Sequence, residues 1–297
     1  MTSTVRKAVI PSAGNATRFL PATKAQPKAM LALVDKPAIQ YVVEEAVAAG
    51  ITEILVITGR GTQSVVDHFD RAPELERELE ATGKLEALAH VRSSSDLASL
   101  HYLRQGRALG LGHAVLMGRA FVGDEPFAVL LPDELMVDDA TLLKRMITAY
   151  DDHGGSVVAF REVPREEVSS YGVAAVGAHA VEADLLPLLG VVEKPSVEDA
   201  PSNFIATGRY VFSPAVFDCL EKVAPGRGGE IQLTDGMALL IEREPVFAAV
   251  FEHGRHDVGT PLDFLQAAVT LAADRPDLGP AFLAFLADFM RQRGLGS

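Results

Sequence analysis

Ala8-Val-Ile10, Ala38-Ile-Gln-Tyr-Val-Val-Glu-Glu-Ala-Val-Ala-Ala49 and Glu53-Ile-Leu-Val-Ile-Thr58 decide the fold. The first is a short apolar run that breaks at Pro11 and Gly14, which reads as a buried strand followed by a loop. In the second, Ile39, Val42, Val43, Ala46 and Val47 recur at helical spacing, and Gly50 supplies the stop. The third is a continuous apolar run of strand length. Strand, crossover helix and strand form the βαβ unit of a parallel sheet.

Outward from this unit the alternation continues. Ser99 to Leu103 reads as a strand, Gly112 to Ala120 as one short helix, and Phe127 to Leu131 as a strand ending at an acidic turn, Asp133-Glu134. Thr141 to Tyr150 reads as a helix and Ser156 to Phe160 as a strand. Later strands are expected at Tyr171 to Val176, Gly190 to Glu193, Thr207 to Phe212 and Val246 to Glu252. Helices are expected at Pro214 to Lys222, Leu233 to Ile241 and Pro261 to Ala273. An amphipathic end helix follows from Gly279 to Gln292, packed on the core or used in subunit contact. The expected class is α/β, with a mixed, mainly parallel sheet flanked by helices in one domain. Its successive parts are expected at about residues 1–155, about 156–275 and about 276–297, the last being the end helix. Ligands of open α/β sheets bind beyond the carboxyl ends of the strands. Asn15, Arg18 and Asp133 all follow strands, so one cleft can hold them.

Charge narrows the partners. The chain has 40 acidic and 27 basic residues and a formal net charge of -13, so a phosphate polymer is repelled by most of the surface and nucleic acid is excluded as the expected partner. A small anion needs only a local cluster of cations and backbone N–H groups. No apolar run approaches the roughly 20 residues of a membrane helix, and no N-terminal signal pattern is present, so a soluble cytoplasmic protein is expected. The single cysteine, Cys219, reads as a small core residue.

The chemistry concentrates in Pro11-Ser-Ala-Gly-Asn-Ala-Thr-Arg18, Pro21-Ala-Thr-Lys24 and Pro27-Lys-Ala-Met-Leu31. A loop after the first strand, with small residues and basic side chains, suits a triphosphate: backbone N–H groups approach closely while Arg18 and Lys28 offset charge. Neither G-x-G-x-x-G nor G-x-x-x-x-G-K-[ST] occurs there. His113 and His256 have no matching nucleophile and read as structural.

Taken in order, these segments resemble the bacterial UTP–glucose-1-phosphate uridylyltransferases. To them are added Asp35-Lys-Pro-Ala-Ile-Gln-Tyr41, Arg104-Gln105, Leu109-Gly-Leu-Gly-His-Ala-Val115, Tyr171-Gly172, Glu193-Lys-Pro195, Gly208-Arg-Tyr210, Gly229-Glu-Ile-Gln-Leu-Thr-Asp235 and Asp257-Val-Gly259. The resemblance implies a Rossmann-like fold of the nucleotide-diphospho-sugar transferase type and Mg²⁺-dependent transfer from UTP to glucose 1-phosphate. It also implies a homodimer or homotetramer. It implies that Ala13 and Gly14 line the base and ribose, and that Arg18 and Lys28 hold the triphosphate. Gln105 and Gly110 would read the uracil edge, and Asp133 and Asp257 would hold Mg²⁺. On the sugar side, Gly172 would contact the sugar, Glu193 would accept from its hydroxyls and Lys194 would neutralise its phosphate.

Three positions depart from the family pattern: Ala16 replaces a glycine, Ala29 replaces a glutamate, and Pro132 precedes Asp133 where the family has glycine. With Asn15, they leave open another base, another sugar or cyclitol phosphate, or a weakly active or non-catalytic homologue that binds a nucleotide sugar. Arg18, Lys28, Asp133, Glu193, Lys194 and Asp257 are all kept, which favours catalysis.

Overall fold

The structure, a computed structural model, describes residues 4–14, 16–226 and 229–295. Asn15, Gly296 and Ser297 lie outside the described residues. The strands are β1 (Lys7–Ser12), β2 (Ala32–Leu33), β3 (Lys36–Pro37), β4 (Glu53–Thr58), β5 (Ser99–Arg104), β6 (Phe127–Leu130), β7 (Glu134–Met136), β8 (Ser156–Glu162), β9 (Gly172–Val176), β10 (Leu185–Glu193), β11 (Phe204–Phe212), β12 (Val246–Val250) and β13 (Arg255–Asp257). The helices are α1 (Ala38–Ala48), α2 (Gln63–Phe69), α3 (Pro73–Ala81), α4 (Leu85–Ser95), α5 (Leu111–Leu116), α6 (Arg119–Val122), α7 (Thr141–His153), α8 (Ala215–Leu220), α9 (Leu233–Ile241), α10 (Pro261–Asp274) and α11 (Gly279–Gln292).

Among the described residues, nine strands form one sheet in the order β5-β4-β1-β6-β11-β8-β12-β10-β9. The first four are parallel to one another, and β8 and β12 are parallel; β11 and β10 run against their neighbours. Following these pairings, all but β11 and β10 point the same way, as expected of a mixed, mainly parallel sheet. The apolar strands need cover on both faces. Ala8, Ile10, Ile54 and Val56 join one core cluster with α1, α7 and α10, whereas Val9, Leu55 and Ile57 join the other with α5, α8 and α9. Buried Cys219 belongs to the second cluster.

Several boundaries differ from the sequence reading for identifiable reasons. Strand β1 continues through Pro11, because beyond Val9 it pairs with β4 alone and one edge makes no ladder demand there. The expected single helix from Gly112 to Ala120 is two, α5 and α6. Gly118 lies so close to β1 that a Cβ on it would sit 2.9 Å from Val9 Cγ2. Glu134 is no exposed turn residue; it opens β7 and is buried against β13. Helices α2 to α4 were not expected at all. Their stretch is polar, and α3 buries Glu76 through Arg71 and Arg92 rather than through an apolar face. The end helix α11 departs furthest. It packs on α10 and not on the sheet, because α10 already covers the core with Ala267 and Leu271. Its Leu283 and Phe285 are 51% and 60% exposed. No helix among the described residues is long and apolar enough to cross a membrane.

The connection between α1 and α2 runs through a half-buried histidine. His68 Nε2 lies 2.8 Å from Gln40 Oε1, and Gln40 in turn donates to Glu44. Burial lowers the His68 pKa from 6.5, against a smaller upward pull from Glu44. A depressed folded value means that this histidine's contribution is present above pH 6.5 and is lost as pH falls through the folded value. Thermal melts over about pH 5 to 8, where histidines change charge, should therefore show less acid destabilisation in His68→Gln than in the wild type. Parallel curves for the two proteins would refute the assignment.

Candidate active site

The loops after β1, β4, β5 and β6 leave the same edge of the sheet, since these strands are parallel and in register. They enclose a cleft with two lobes. One lobe is lined by Ser12, Arg18, Lys28, Pro132, Asp133 and Gly259. The other is lined by Ala13, Lys24, Arg60, Thr62, Gln105 and Gly106. Gly14, Ala16, Pro27 and Lys28 line both, so the lobes are continuous. Ala13, Gly14, Arg18, Lys28, Gln105 and Asp133 thus come together as expected.

The cationic wall is built locally. Lys28 opens a 3-10 turn, Lys28–Met30, and its Nζ lies 3.1 Å from Asp133 Oδ2 and 5.4 Å from the centre of the Phe19 ring. Phe19 is braced by an edge-on contact with Phe264 of α10. Arg18 Nη1 lies 3.8 Å from the place a Cβ on Gly259 would occupy. Ala16 adopts φ 46 and ψ 43, the left-handed conformation its family glycine takes easily. Alanine pays about 1–2 kcal/mol there, and the turn is held by Thr23 Oγ1 and the Phe19 N–H, which donate to its carbonyl at 2.8 and 3.1 Å. Ala29 is buried and joins the core beneath the lobe, so its glutamate counterpart has an apolar replacement.

At the other lobe Gln105 is buried, and its Nε2 lies 2.8 Å from His113 Nδ1 and 3.4 Å from Gly110 O. His113 has a site role that sequence reasoning did not give it: it orients the Gln105 amide. Its place three residues after Gly110 was the available signal. Gly110 has φ 98, and a Cβ on it would lie 2.6 Å from Ile231 O. It does not line either lobe; it lets the loop lie against the Glu230-Ile231 backbone and so fixes Gln105.

The residues expected to meet the sugar group on β9 and β10, where Gly172 pairs with Glu193. Glu193 accepts from Thr234 Oγ1 at 3.1 Å and pairs with Lys194 Nζ at 2.9 Å. Lys194 has φ 45, and its N–H donates to Tyr171 O at 2.9 Å. Tyr171 links this group to the cleft: its hydroxyl donates to Asp257 Oδ2 at 3.1 Å. Burial and Asp257 raise the Tyr171 pKa, so the hydroxyl keeps the proton it donates. Thr234 and Tyr171 are further positions that sequence reasoning left without a role.

Asp133 and Asp257 differ in availability. The Asp133 side chain is 46% exposed and, among the described residues, bonds only to Lys28. Asp257 Oδ1 accepts the Gly259 N–H at 2.6 Å, and Oδ2 accepts from Tyr171 and from Arg255 Nη2, both at 3.1 Å. Three of the roughly four acceptor positions of that carboxylate are taken. The Val258 N–H donates to Asp133 O at 2.9 Å, which sets the two aspartates on neighbouring backbones. No cluster of three or more His, Cys, Asp or Glu suited to a metal occurs among the described residues. An open carboxylate beside a phosphate-sized cleft, with a second nearby, fits Mg²⁺, which takes one or two carboxylates and completes its shell with phosphate oxygens and water. Behind them Arg255 forms a bidentate pair with Glu134 at 2.6 and 2.7 Å. Burial pushes the Glu134 carboxyl up to about 7, opposed by Arg255 and reinforced by Asp257 and Asp133.

A nucleotidyl transferase family model matches residues 7–274. The chain belongs to that family. It is 47% identical over 292 residues to the UTP–glucose-1-phosphate uridylyltransferase YngB of Bacillus subtilis, covering 98% of each chain. The UTP-bound UDP-glucose pyrophosphorylase of Acinetobacter baumannii superposes with a TM-score of 0.88 at 39% identity, over 95% of this chain and 99% of the other. A UDP-glucose pyrophosphorylase complexed with UDP-glucose superposes at 0.83 and 40% identity, over 91% and 100%. The transferase therefore has the fold and the family that its motifs implied.

Gly110 supplies a test of the lobe that Gln105 lines. Gly110→Ala should weaken nucleoside triphosphate binding by at least about tenfold, since an added Cβ must displace the Ile231 backbone. Calorimetric titration checks this; wild-type affinity in the variant would show that Gln105 is held by other means.

Proposed function

We propose that the transferase joins UTP to glucose 1-phosphate, giving UDP-glucose and pyrophosphate, in a Mg²⁺-dependent reaction. The observation that carries this reading is the single cleft that gathers Arg18, Lys28 and Asp133, with the Gln105 amide fixed at its far lobe. The names of the similar proteins support the substrate pair.

The attacking group is an anionic phosphate oxygen of the sugar phosphate. It forms a bond to the α-phosphorus while the bond to the bridging oxygen breaks, and pyrophosphate departs with that electron pair. No strong general base is required; the difficulty is bringing two anions together. Lys28 and Arg18 supply fixed positive charge on the triphosphate side, and Lys194 supplies it on the sugar phosphate. Mg²⁺, held by Asp133 and Asp257 together with phosphate oxygens, would neutralise charge developing around the α-phosphate. Glu193, oriented by Thr234, accepts hydrogen bonds from sugar hydroxyls. Gly172 lets β9 lie close against the Thr234 and Glu193 side chains, since a Cβ there would lie 2.9 Å from Thr234 Cγ2 and 3.4 Å from Glu193 Oε2.

Two variants separate the roles. Asp133→Ala should lower kcat by at least about a hundredfold and leave the melting temperature unaffected; undiminished turnover would remove Asp133 from the metal site. Lys194→Ala should raise KM for the sugar phosphate far more than KM for the triphosphate, and equal effects would refute the division. Pyrophosphate release across nucleoside triphosphates and sugar 1-phosphates tests the substrate pair. Highest kcat/KM with UTP and glucose 1-phosphate is expected. Preference for another pair would assign Ala16, Ala29 and Pro132 to specificity, and binding of nucleotide sugar without turnover would overturn the catalytic reading.

A further inference from the structure

Arg209 is fully buried and pairs with Glu45 of α1, its Nε and Nη2 lying 2.9 and 2.7 Å from the two carboxylate oxygens. An ion pair this deep is poorly explained as a stabiliser alone, since similar apolar residues often serve a core as well. Its remaining donors have a specific destination. Nη1 donates to Leu131 O at 3.2 Å, and Nη2 donates to Glu134 O at 2.6 Å. These carbonyls bracket Pro132 and Asp133, so one guanidinium holds both ends of the turn that carries the open carboxylate. The same turn is held from β11 a second time: the Leu131 N–H donates to Gly208 O at 2.9 Å. Gly208 has φ 68, and a Cβ on it would lie 2.9 Å from Glu134 Cγ and 3.0 Å from Leu131 Cβ. The register of β11 against β8 shifts between Ala206 and Tyr210, which delivers both residues to this turn.

We propose that Arg209, anchored by Glu45, is a positioning residue for the transfer reaction, setting the Asp133 carboxylate at the height and orientation at which it takes the divalent cation. This rests on the metal role given above to Asp133. A planar fork is needed: lysine could face Glu45 but could not also reach carbonyls on both sides of the turn. Partners of this kind, one layer behind a metal ligand, typically change metal affinity by about 10- to 100-fold when removed.

The test compares wild type with Arg209→Met, Arg209→Lys and Gly208→Ala, the last of which displaces the turn while keeping both side chains of the ion pair. UTP binding is titrated calorimetrically in EDTA and across a Mg²⁺ series. Bound Mn²⁺ is counted by electron paramagnetic resonance, and turnover and melting temperature are recorded alongside. In the variants the Mg²⁺ or Mn²⁺ concentration for half-saturation should rise by at least about tenfold, while UTP affinity in EDTA stays at the wild-type value. Arg209→Lys should melt nearer to wild type than Arg209→Met and still show the metal defect. If Arg209→Met does not fold, Gly208→Ala and Arg209→Lys decide. Lower melting temperatures with unchanged metal half-saturation would overturn the proposal and leave Arg209 as a structural residue. Equal loss of UTP affinity with and without metal would overturn it as well. A wild type that binds metal and UTP but does not use glucose 1-phosphate would overturn the substrate reading alone, leaving the metal shift in the variants to support the role of Arg209. A wild type whose UTP binding ignores metal would overturn both.

Discussion

The site depends on the parallel pairing of β1 with β6. Lys7, Ala8 and Val9 lie opposite Phe127, Ala128 and Val129, and this register brings the loop after one strand level with the loop after the other. Arg18 and Lys28 come from the first loop region and Asp133 from the second. The 3.1 Å contact between Lys28 and Asp133 exists because both strands point the same way and send their following loops off the same edge of the sheet. An acidic chain cannot bind phosphates over its general surface. It must concentrate cations at one place, and the carboxyl edge of a parallel sheet is where several loops can meet.

The second half of the sheet serves that cleft by turning strands around. β11 runs antiparallel to β6, so its Gly208-Arg209 bulge, rather than either of its ends, reaches the turn beyond β6. The β7–β13 pair then places Asp257 beside the Asp133 backbone, with Arg255 and Glu134 filling the space behind. Tyr171 joins this pair to the β9–β10 edge, where Glu193 and Lys194 stand. The cleft and the β9–β10 edge are thereby connected through the side-chain bond of Tyr171 to Asp257 and its backbone bond to Lys194.

The positions departing from the family pattern are each accommodated by a local device. Ala16 keeps the left-handed backbone of the glycine it replaces, held by Thr23. Ala29 turns a polar position into part of the core floor. Pro132 sits between two carbonyls already claimed by Arg209, where the turn's geometry is set from behind and a missing N–H leaves those bonds intact. None of the three displaces Arg18, Lys28 or Asp133 from the cleft.

The sequence by itself determined the βαβ opening, the α/β class and the family, because apolar periodicity and ordered motifs are local properties of the chain. Its ordered motifs, through their resemblance to a known family, also pointed to Ala13, Gly14, Arg18, Lys28, Gln105 and Asp133, all of which line the cleft. It could not reveal α3, whose buried face is a glutamate satisfied by two arginines, nor that α11 would leave its apolar side uncovered, because each depends on what neighbouring elements already occupy. Nor could it tell that Gly110 acts by close approach to Ile231, that His113 orients Gln105, or that Asp257 is largely occupied by Arg255, Tyr171 and Gly259. Those assignments are decided by hydrogen-bond partners far away in sequence, and only the folded chain brings such partners within 3 Å or so of one another.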